Sequence, residues 1–266
     1  MSFRSSEEKE ISDSFISKGY VIKHTENQVA LNAIRSLFTG SIRETFKKDS
    51  KIASYSDEEL LNNFHNFIDP DSINDLRVDL INQMNSKSII REYYYSIAKK
   101  SLDLLVGNEI AMQLRINLSI QLPDDDSSLL PVHADTWAGD SPFEVVVWIP
   151  LVNCYDTKSM FLLPPNKAKV LYKNFKKNAG KSSSSLYDSI KDQVDWIQID
   201  YGDILIFNQS LPHGNIVNDE AETRWSLNCR FKGTFTPYGD KKLGEFFEPI
   251  NLKAASILGL DYELPK

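Results

Sequence analysis

The sequence predicts a mainly β fold in which a helical N-terminal part supports a double-sheet barrel of the jelly-roll or cupin kind. Apolar residues recur at three- and four-residue spacing before residue 110, and they alternate with polar residues after it. The alternating segments are short, and runs of Pro, Gly, Asp and Ser separate them. Many short strands that follow a group of helices are typical of a β-barrel buttressed by helices.

The N-terminal part contains four segments with helical periodicity. These are residues 28–38, 57–67, 71–84 and 88–105. Ser56 is the predicted N-cap of the second segment, and a short strand over residues 19–22 precedes all four. We expect residues 1–109 to be a mainly helical support.

Residues 112–120 give the clearest strand signal, because apolar and polar residues alternate there without a break. Further strands are predicted over residues 143–149, 160–163, 195–199, 203–207 and 225–235. The Lys- and Ser-rich residues 176–185 indicate a solvated loop or a flexible lid. No repeat or linker divides the chain. We therefore predict one domain over residues 1–266, with a β core at 110–235 and a C-terminal extension at 236–266.

Charge and composition narrow the classes of partner. The 266 residues carry a formal net charge of −7, which argues against a nucleic acid or an anionic membrane as partner. Cys154 and Cys229 are too few for a disulfide scaffold and do not form a CxxC motif, which favours a reducing cytoplasm. The polar N-terminus lacks the apolar stretch of a signal peptide, and no membrane span is predicted.

Two histidines and one aspartate form a candidate metal site. His133 and Asp135 form an H-x-D motif where a strand gives way to a loop, and His213 directly follows another predicted strand. Two imidazoles and one carboxylate on three corners of an octahedron are the facial triad of non-haem Fe(II) oxygenases. H-x-D alone is a weak signal, so the interpretation depends on the residues after His213.

Arg224 and Ser226 strengthen the interpretation. They follow His213 by eleven and thirteen residues, and in a strand they project to the same side. A guanidinium and a hydroxyl can bind one carboxylate together, because the planar fork of arginine pairs with both carboxylate oxygens. A metal site with a carboxylate clamp predicts an anionic co-substrate that chelates the metal, and 2-oxoglutarate has this shape. Arg230, on the same side of the strand, is the alternative clamp.

At these residues the sequence resembles the Fe(II)/2-oxoglutarate-dependent dioxygenases, in particular their phytanoyl-CoA-dioxygenase-like branch. The resemblance covers about residues 110–235. Within the family, this segment most resembles oxygenases encoded in bacterial carbohydrate clusters. It implies a double-stranded β-helix, with Fe(II), 2-oxoglutarate and O₂ used to oxidise a substrate C–H bond. The carboxylate of Asp135 favours hydroxylation or a desaturation-like oxidation, since related halogenases have Ala or Gly at that position.

Other residues are candidates for contacts with 2-oxoglutarate or the substrate. The polar face of the strand at 112–120 either meets solvent or lines the barrel cavity; it consists of Gln113, Arg115, Asn117 and Ser119. In the second case Asn117 or Gln113 can bind 2-oxoglutarate or substrate, and Arg115 can pair with a carboxylate or phosphate. Trp137 is either a core or rim residue or a wall of the substrate pocket.

The predicted function is oxidation of a polar small molecule, in particular a sugar or sugar-linked metabolite of polysaccharide biosynthesis. Two alternatives remain open from the sequence. One is the same chemistry on an amino acid, protein or acyl substrate. The other is a cupin-like metal-binding protein that is not an oxygenase, which leaves Arg224 and Ser226 without a purpose. We interpret His24 and His65 as structural residues, and the sequence leaves the oligomeric state open.

Overall fold

A computed structural model describes residues 3–178 and 182–265. Helices precede a sheet-rich part, as the sequence predicts. The helices of the N-terminal part are α1 (Ser6–Lys18), α2 (Gln28–Thr45), α3 (Ser50–Ser54), α4 (Asp57–Asn62), α5 (Ile73–Asn85) and α6 (Ser88–Leu105). Ser56 caps α4, because its side chain accepts the Glu59 N–H while the Glu59 carboxylate accepts the Ser56 N–H.

The predicted helix over 57–67 is shorter in the structure. α4 ends at Asn62, and a single 3₁₀ turn, Phe64–Asn66, follows it. The backbone N–H of His65 donates to the Thr223 hydroxyl at 3.2 Å and so does not continue the helix. A contact with residues far along the chain therefore ends this helix, which local periodicity cannot predict.

Seven antiparallel strands form the larger sheet. They are β1 (Tyr20–His24), β2 (Ile110–Gln113), β3 (Asn117–Gln121), β4 (Glu144–Pro150), β7 (Asp203–Asn208), β9 (Arg224–Gly233) and β10 (Phe247–Asn251). Their order is β1-β7-β4-β9-β2-β10, and β3 also pairs with β9. The smaller sheet has the order β6-β5-β8, from β5 (Phe161–Leu162), β6 (Asp195–Trp196) and β8 (His213–Gly214). Two such sheets in one core are the jelly-roll architecture.

The prediction of one continuous strand over 112–120 is wrong. Met112 pairs with Phe231 and Asn117 with Asn228, so five steps along this segment match three along β9. The two extra residues form a bend between β2 and β3, and because their number is even, the polar residues of β3 lie on the same face as Gln113 of β2. Asn85 of α5 holds the bend: its amide donates to the Ile116 carbonyl at 2.9 Å and accepts the Ile116 N–H at 2.8 Å.

The remaining helices are α7 (Pro165–Lys173), α8 (Ser183–Ile190) and α9 (Ala254–Leu260). The predicted loop or lid at 176–185 falls partly on residues 179–181, which lie outside the described residues. Its last serines begin α8, with Ser182 as the N-cap, so this part is not a loop. Within the described ranges, no helix has both the length and the apolar character that a membrane crossing requires.

The Asn85 contact gives a test of the fold. Asn85→Ala leaves the Ile116 N–H and C=O without their side-chain partner, so we expect unfolding free energy to fall by about 1–3 kcal/mol. The control Asn82→Ala lies three residues earlier on the same helix, is exposed, and should change stability by less than about 0.5 kcal/mol. Urea unfolding followed by circular dichroism measures both, and equal losses would contradict the assignment.

Candidate metal centre

Two backbone hydrogen bonds bring His133 and His213 together. The His133 N–H donates to the His213 carbonyl at 3.0 Å, and the His213 N–H donates to the His133 carbonyl at 2.8 Å. In such a mutually bonded antiparallel pair, the Cα atoms are about 5.5 Å apart. The two imidazole rings have centroids 4.4 Å apart. The side chains of two residues that are eighty positions apart in the chain thus extend from neighbouring backbone positions.

Each imidazole is oriented by a carbonyl two residues before it. Nδ1 of His133 lies 2.8 Å from the Pro131 carbonyl oxygen, and Nδ1 of His213 lies 2.8 Å from that of Leu211. Because a carbonyl can only accept, Nδ1 donates its proton in both rings and Nε2 faces the third residue of the cluster. Burial lowers the pKa of His213 to about 4, which keeps this imidazole neutral, as a metal ligand must be.

Asp135 completes the cluster. It begins a 3₁₀ turn, and its N–H donates to the Gln209 carbonyl at 3.0 Å. Its Oδ1 lies 3.4 Å from Nε2 of His133 and 3.9 Å from Nε2 of His213. The ligand atoms of all three residues lie within 4.8 Å of one another. Two imidazole nitrogens and one carboxylate oxygen at this spacing fit a metal bound on one face.

Arg230 holds the second oxygen of Asp135. Its Nη2 donates to Oδ2 at 2.7 Å, and its Nε donates to the Gln209 side chain at 2.9 Å. Burial alone would raise the pKa of Asp135, but the His133 hydrogen bond and the charge of Arg230 outweigh it and hold that pKa well below its usual range. The carboxylate is therefore ionised, with Oδ1 left for a metal. Gln209 in turn donates to the buried Glu144 at 2.7 Å.

The cluster lines a cavity of about 440 Å³, within the usual range for small-molecule sites. Polar side chains of β3 and β9 line it, among them Asn117, Ser119 and Asn228. Apolar side chains from the sheets, including Trp148 and Phe207, line it as well. The cavity therefore combines a water-excluding wall with hydrogen-bonding groups.

Arg224 lines the same cavity and is buried. Its guanidinium donates to the Ser159 carbonyl at 2.8 Å and to the Ser119 hydroxyl at 3.0 Å, and among the described residues it has no acidic partner. Its Nε and the hydroxyls of Ser226 and Ser159 are buried without a hydrogen-bond partner. Burial lowers the pKa of Arg224 to about 10. An unpaired buried cation beside orphaned donors fits an anionic ligand.

Of the other residues predicted to contact 2-oxoglutarate or the substrate, some line the cavity and others lie beside it or away from it. Asn117 and Ser119 line the cavity. Ser226 is fully buried and is not among the described lining residues, but it lies on the same side of β9 as Arg224, opposite Ser119. Gln113 is buried beside the cavity, where its side-chain oxygen accepts the Arg230 N–H at 3.2 Å. It thus contacts a partner of the candidate metal ligand Asp135.

Arg115 and Trp137 are not among the described lining residues. Arg115 is exposed and donates to Asn82 of α5 at 2.8 Å. Trp137 is 39% exposed and packs on the rings of Tyr172 and Phe175. The bend between β2 and β3 includes residue 115, which explains why this arginine leaves the polar face that continues at Asn117.

His24 and His65 lie outside the cluster. Nδ1 of His24 is 3.0 Å from Asp203, and Nδ1 of His65 is 3.0 Å from the Thr223 hydroxyl. Both rings therefore have local partners, in agreement with the structural role predicted for them.

The sequence suggests Arg230 only as an alternative clamp and gives no role to Arg77. The pairing of Arg230 with Asp135 has no sequence signal, because it depends on how β9 meets a distant turn. Arg77 of α5 also lines the cavity, and here a signal exists. It falls on the inward stripe of the helix between Ile73 and Leu80, where the period of 3.6 residues requires an apolar side chain.

Solved non-haem oxygenases have a similar structure. A nickel complex of the non-haem monooxygenase ThoJ matches with a TM-score of 0.57 at 12% identity, covering 91% of this chain and 84% of that one. The alpha-ketoglutarate-dependent carbocyclase SnoK from nogalamycin biosynthesis matches with a TM-score of 0.52 at 13% identity, covering 91% of this chain and 96% of that one. HygX from Streptomyces hygroscopicus, with nickel and 2-oxoglutarate bound, matches with a TM-score of 0.50 at 14% identity, covering 88% of this chain and 89% of that one.

The chain has the fold of these oxygenases. The resemblance drawn from residues 110–235 is thereby confirmed at the level of the fold, and it extends over the helical part as well. No family model and no curated protein matches the sequence. Because one fold carries many functions, activity must be argued from the site itself.

The metal centre predicts an order of metal affinities. Asp135→Ala removes a ligand and should abolish stoichiometric Co(II) binding, measured anaerobically by visible absorbance. Arg230→Ala leaves the ligands but frees Asp135 to rotate, so we expect affinity to fall about 10–100-fold. The control His24→Ala should bind Co(II) like the unmodified protein. Undiminished binding by Asp135→Ala would disprove the assignment of this ligand.

Proposed function

We propose that the protein is an Fe(II)- and 2-oxoglutarate-dependent oxygenase that oxidises a C–H bond of a polar small molecule. One observation carries the proposal. The His133, Asp135 and His213 cluster and the uncompensated Arg224 line a single cavity. A facial triad leaves coordination positions open, and the buried guanidinium requires an anion. 2-Oxoglutarate satisfies both, because it has a chelating end and a carboxylate end.

In this proposal each residue has a distinct task. The triad holds Fe(II), while Arg224 and Ser226 bind the distal carboxylate of 2-oxoglutarate. When Fe(II) and 2-oxoglutarate are bound, they would supply the chemistry that converts R–H, O₂ and 2-oxoglutarate into R–OH, succinate and CO₂. The two β9 arginines lie six residues apart, about 20 Å between Cα atoms in an extended strand, so they serve different parts of the cavity. This separation supports Arg224, and not Arg230, as the clamp.

The remaining cavity residues keep water out and orient the substrate. Trp148, Phe207 and Met160 form an apolar wall near the triad, which strengthens the electrostatic contacts inside the cavity. Arg230 holds Oδ2 of Asp135, so Oδ1 would be the oxygen available to hold the metal. The structure thus fits a positioning role for the protein, with the oxidation carried by the bound groups.

The substrate that we favour is a sugar or sugar-linked metabolite. The side chains of Asn117, Asn228 and Ser127 line the cavity and supply both donors and acceptors suited to hydroxyl groups. An acyl chain would instead need a continuous apolar tunnel.

The cytoplasmic location remains part of the proposal, since Cys154 and Cys229 are free thiols, as is usual in a reducing compartment.

The clamp is tested by comparing two co-substrates in anaerobic Fe(II) titrations that follow the weak visible metal-to-ligand band. 2-Oxobutyrate has the same chelating end as 2-oxoglutarate but lacks the distal carboxylate. Arg224→Ala should weaken 2-oxoglutarate binding at least tenfold, on the order of 2–5 kcal/mol for a desolvated pair, and leave 2-oxobutyrate binding unchanged.

Arg230→Ala serves as the comparison in this experiment. Through its effect on Asp135 it should weaken both 2-oxo acids by the same factor, because it acts on the metal ligand and not on the distal carboxylate. Selective loss of 2-oxoglutarate in Arg230→Ala, with none in Arg224→Ala, would show that Arg230 is the clamp. A metal-loaded protein that gives no band with either acid would favour the metal-binding alternative without oxygenase activity.

The substrate class is tested by succinate formation above the uncoupled rate. We expect stimulation by members of a panel of sugars and sugar derivatives, and none by amino acids or acyl thioesters. Each compound is compared with a reaction lacking it, and Asp135→Ala serves as the inactive control. Stimulation by an acyl thioester alone would end the carbohydrate interpretation and leave the oxygenase assignment intact.

A further inference from the structure

Arg77 occupies an unusual position in the helical part. α5 packs its inward face with the buried residues Ile73, Leu80 and Met84, and Arg77 lies on that same stripe. The side chain is half-buried and lines the cavity of the metal cluster. A half-buried guanidinium on the inward stripe of a helix leaves its positive charge available to a ligand in the cavity.

The partners of Arg77 do not account for its charge. Its Nη2 donates to Asn74 on its own helix at 2.6 Å, and the ion pairs of the described residues include none for Arg77. Other partly or fully buried arginines do have carboxylate partners: Arg43 pairs with Asp57, and Arg230 with Asp135. Of the arginines described along the cavity wall, Arg77 and Arg224 thus lack an acidic partner.

Counting charges separates these two arginines, and this step rests on the proposed function. 2-Oxoglutarate has two carboxylates. One belongs to the end that chelates the metal, and the other pairs with Arg224. No carboxylate remains for Arg77, which is closer to solvent than the fully buried Arg224. An anionic partner for Arg77 would therefore come from the other molecule in the cavity.

We propose that Arg77 binds an anionic group, a carboxylate or a phosphate, on the primary substrate. A planar guanidinium pairs with two oxygens of either group. Asn228 and Ser127 line the same cavity and provide neutral contacts for the rest of the molecule. Because the protein carries a net charge of −7, it gives no long-range attraction to an anion, and a local cation is needed. The anion-binding role predicted for Arg115 thus passes to Arg77.

Matched ligands and matched arginine variants test the proposal. The probes are glucose, glucuronate and glucose 6-phosphate, which share a ring and differ in charge, and binding is measured by ligand-detected NMR. We expect glucuronate or glucose 6-phosphate to bind more tightly than glucose, and Arg77→Ala to weaken that anion at least tenfold. Arg77→Lys should restore part of the affinity, since it keeps the charge but not the fork. Arg115→Ala, an exposed arginine tied to the same helix, should change nothing.

Two further arms separate this proposal from the proposed function. The Arg77-dependent binding should persist in Arg224→Ala, and the 2-oxoglutarate band of Arg77→Ala should keep its midpoint within twofold. Loss of anion binding in Arg224→Ala alone would place the anion at the co-substrate clamp and overturn the role of Arg77. Equal binding of the three probes, or equal affinities in Arg77→Ala and the unmodified protein, would also overturn it. A missing 2-oxoglutarate band in the unmodified protein would instead count against the proposed function.

Discussion

The backbone pair between His133 and His213 is the constraint on which the site depends. Two hydrogen bonds fix both histidines, and the bond from the Asp135 N–H to the Gln209 carbonyl continues the contact between the same two segments. The carbonyls of Pro131 and Leu211, which orient the imidazoles, belong to these segments as well. The spacing of the candidate ligands and the orientation of the imidazoles thus follow from one pairing of main chains.

Buried charges are compensated in different ways in this structure. Lys158 has a fully buried side chain and contacts Glu222 at 2.6 Å and Asn62 at 2.8 Å, so its charge is neutralised by the fold. Asp135 is neutralised by Arg230 in the same way. Arg224 is equally buried, yet it has only a carbonyl and a hydroxyl as partners. An unpaired buried ion costs several kcal/mol of stability. Lys232 is also fully buried and has no ion pair among the described residues, but its ammonium donates to the Pro237 carbonyl at 2.7 Å and lies over the Tyr238 ring, whereas Arg224 lines an open cavity.

The sequence predicted what depends on local periodicity and on spacing. The bounds of α6, Ser88–Leu105, match the prediction because its apolar stripe is long and regular, and the metal cluster follows from H-x-D and a later histidine. α1 was missed because its segment is polar, with only Ile11 buried. The bend at residues 114–116 was missed because alternation alone does not show a two-residue shift of register. The partner of Arg230 was missed because tertiary contacts alone decide it.

The helical part helps to determine the site and is more than an outer support. The residues before and after Arg224 form hydrogen bonds with the helical part. The Thr223 N–H donates to the Asn62 carbonyl at 2.8 Å, and the Trp225 indole donates to the Leu61 carbonyl at 3.0 Å. The Trp225 ring also packs edge-on against Phe64 at 5.2 Å. The direction in which β9 enters the sheet, and hence where the Arg224 guanidinium lies, is therefore fixed by the end of α4. Since α5 also fixes the bend before β3 through Asn85, contacts from both α4 and α5 shape the cavity wall. The candidate metal ligands and Arg224 belong to the strand-rich part, whereas the helices help to set where its strands begin.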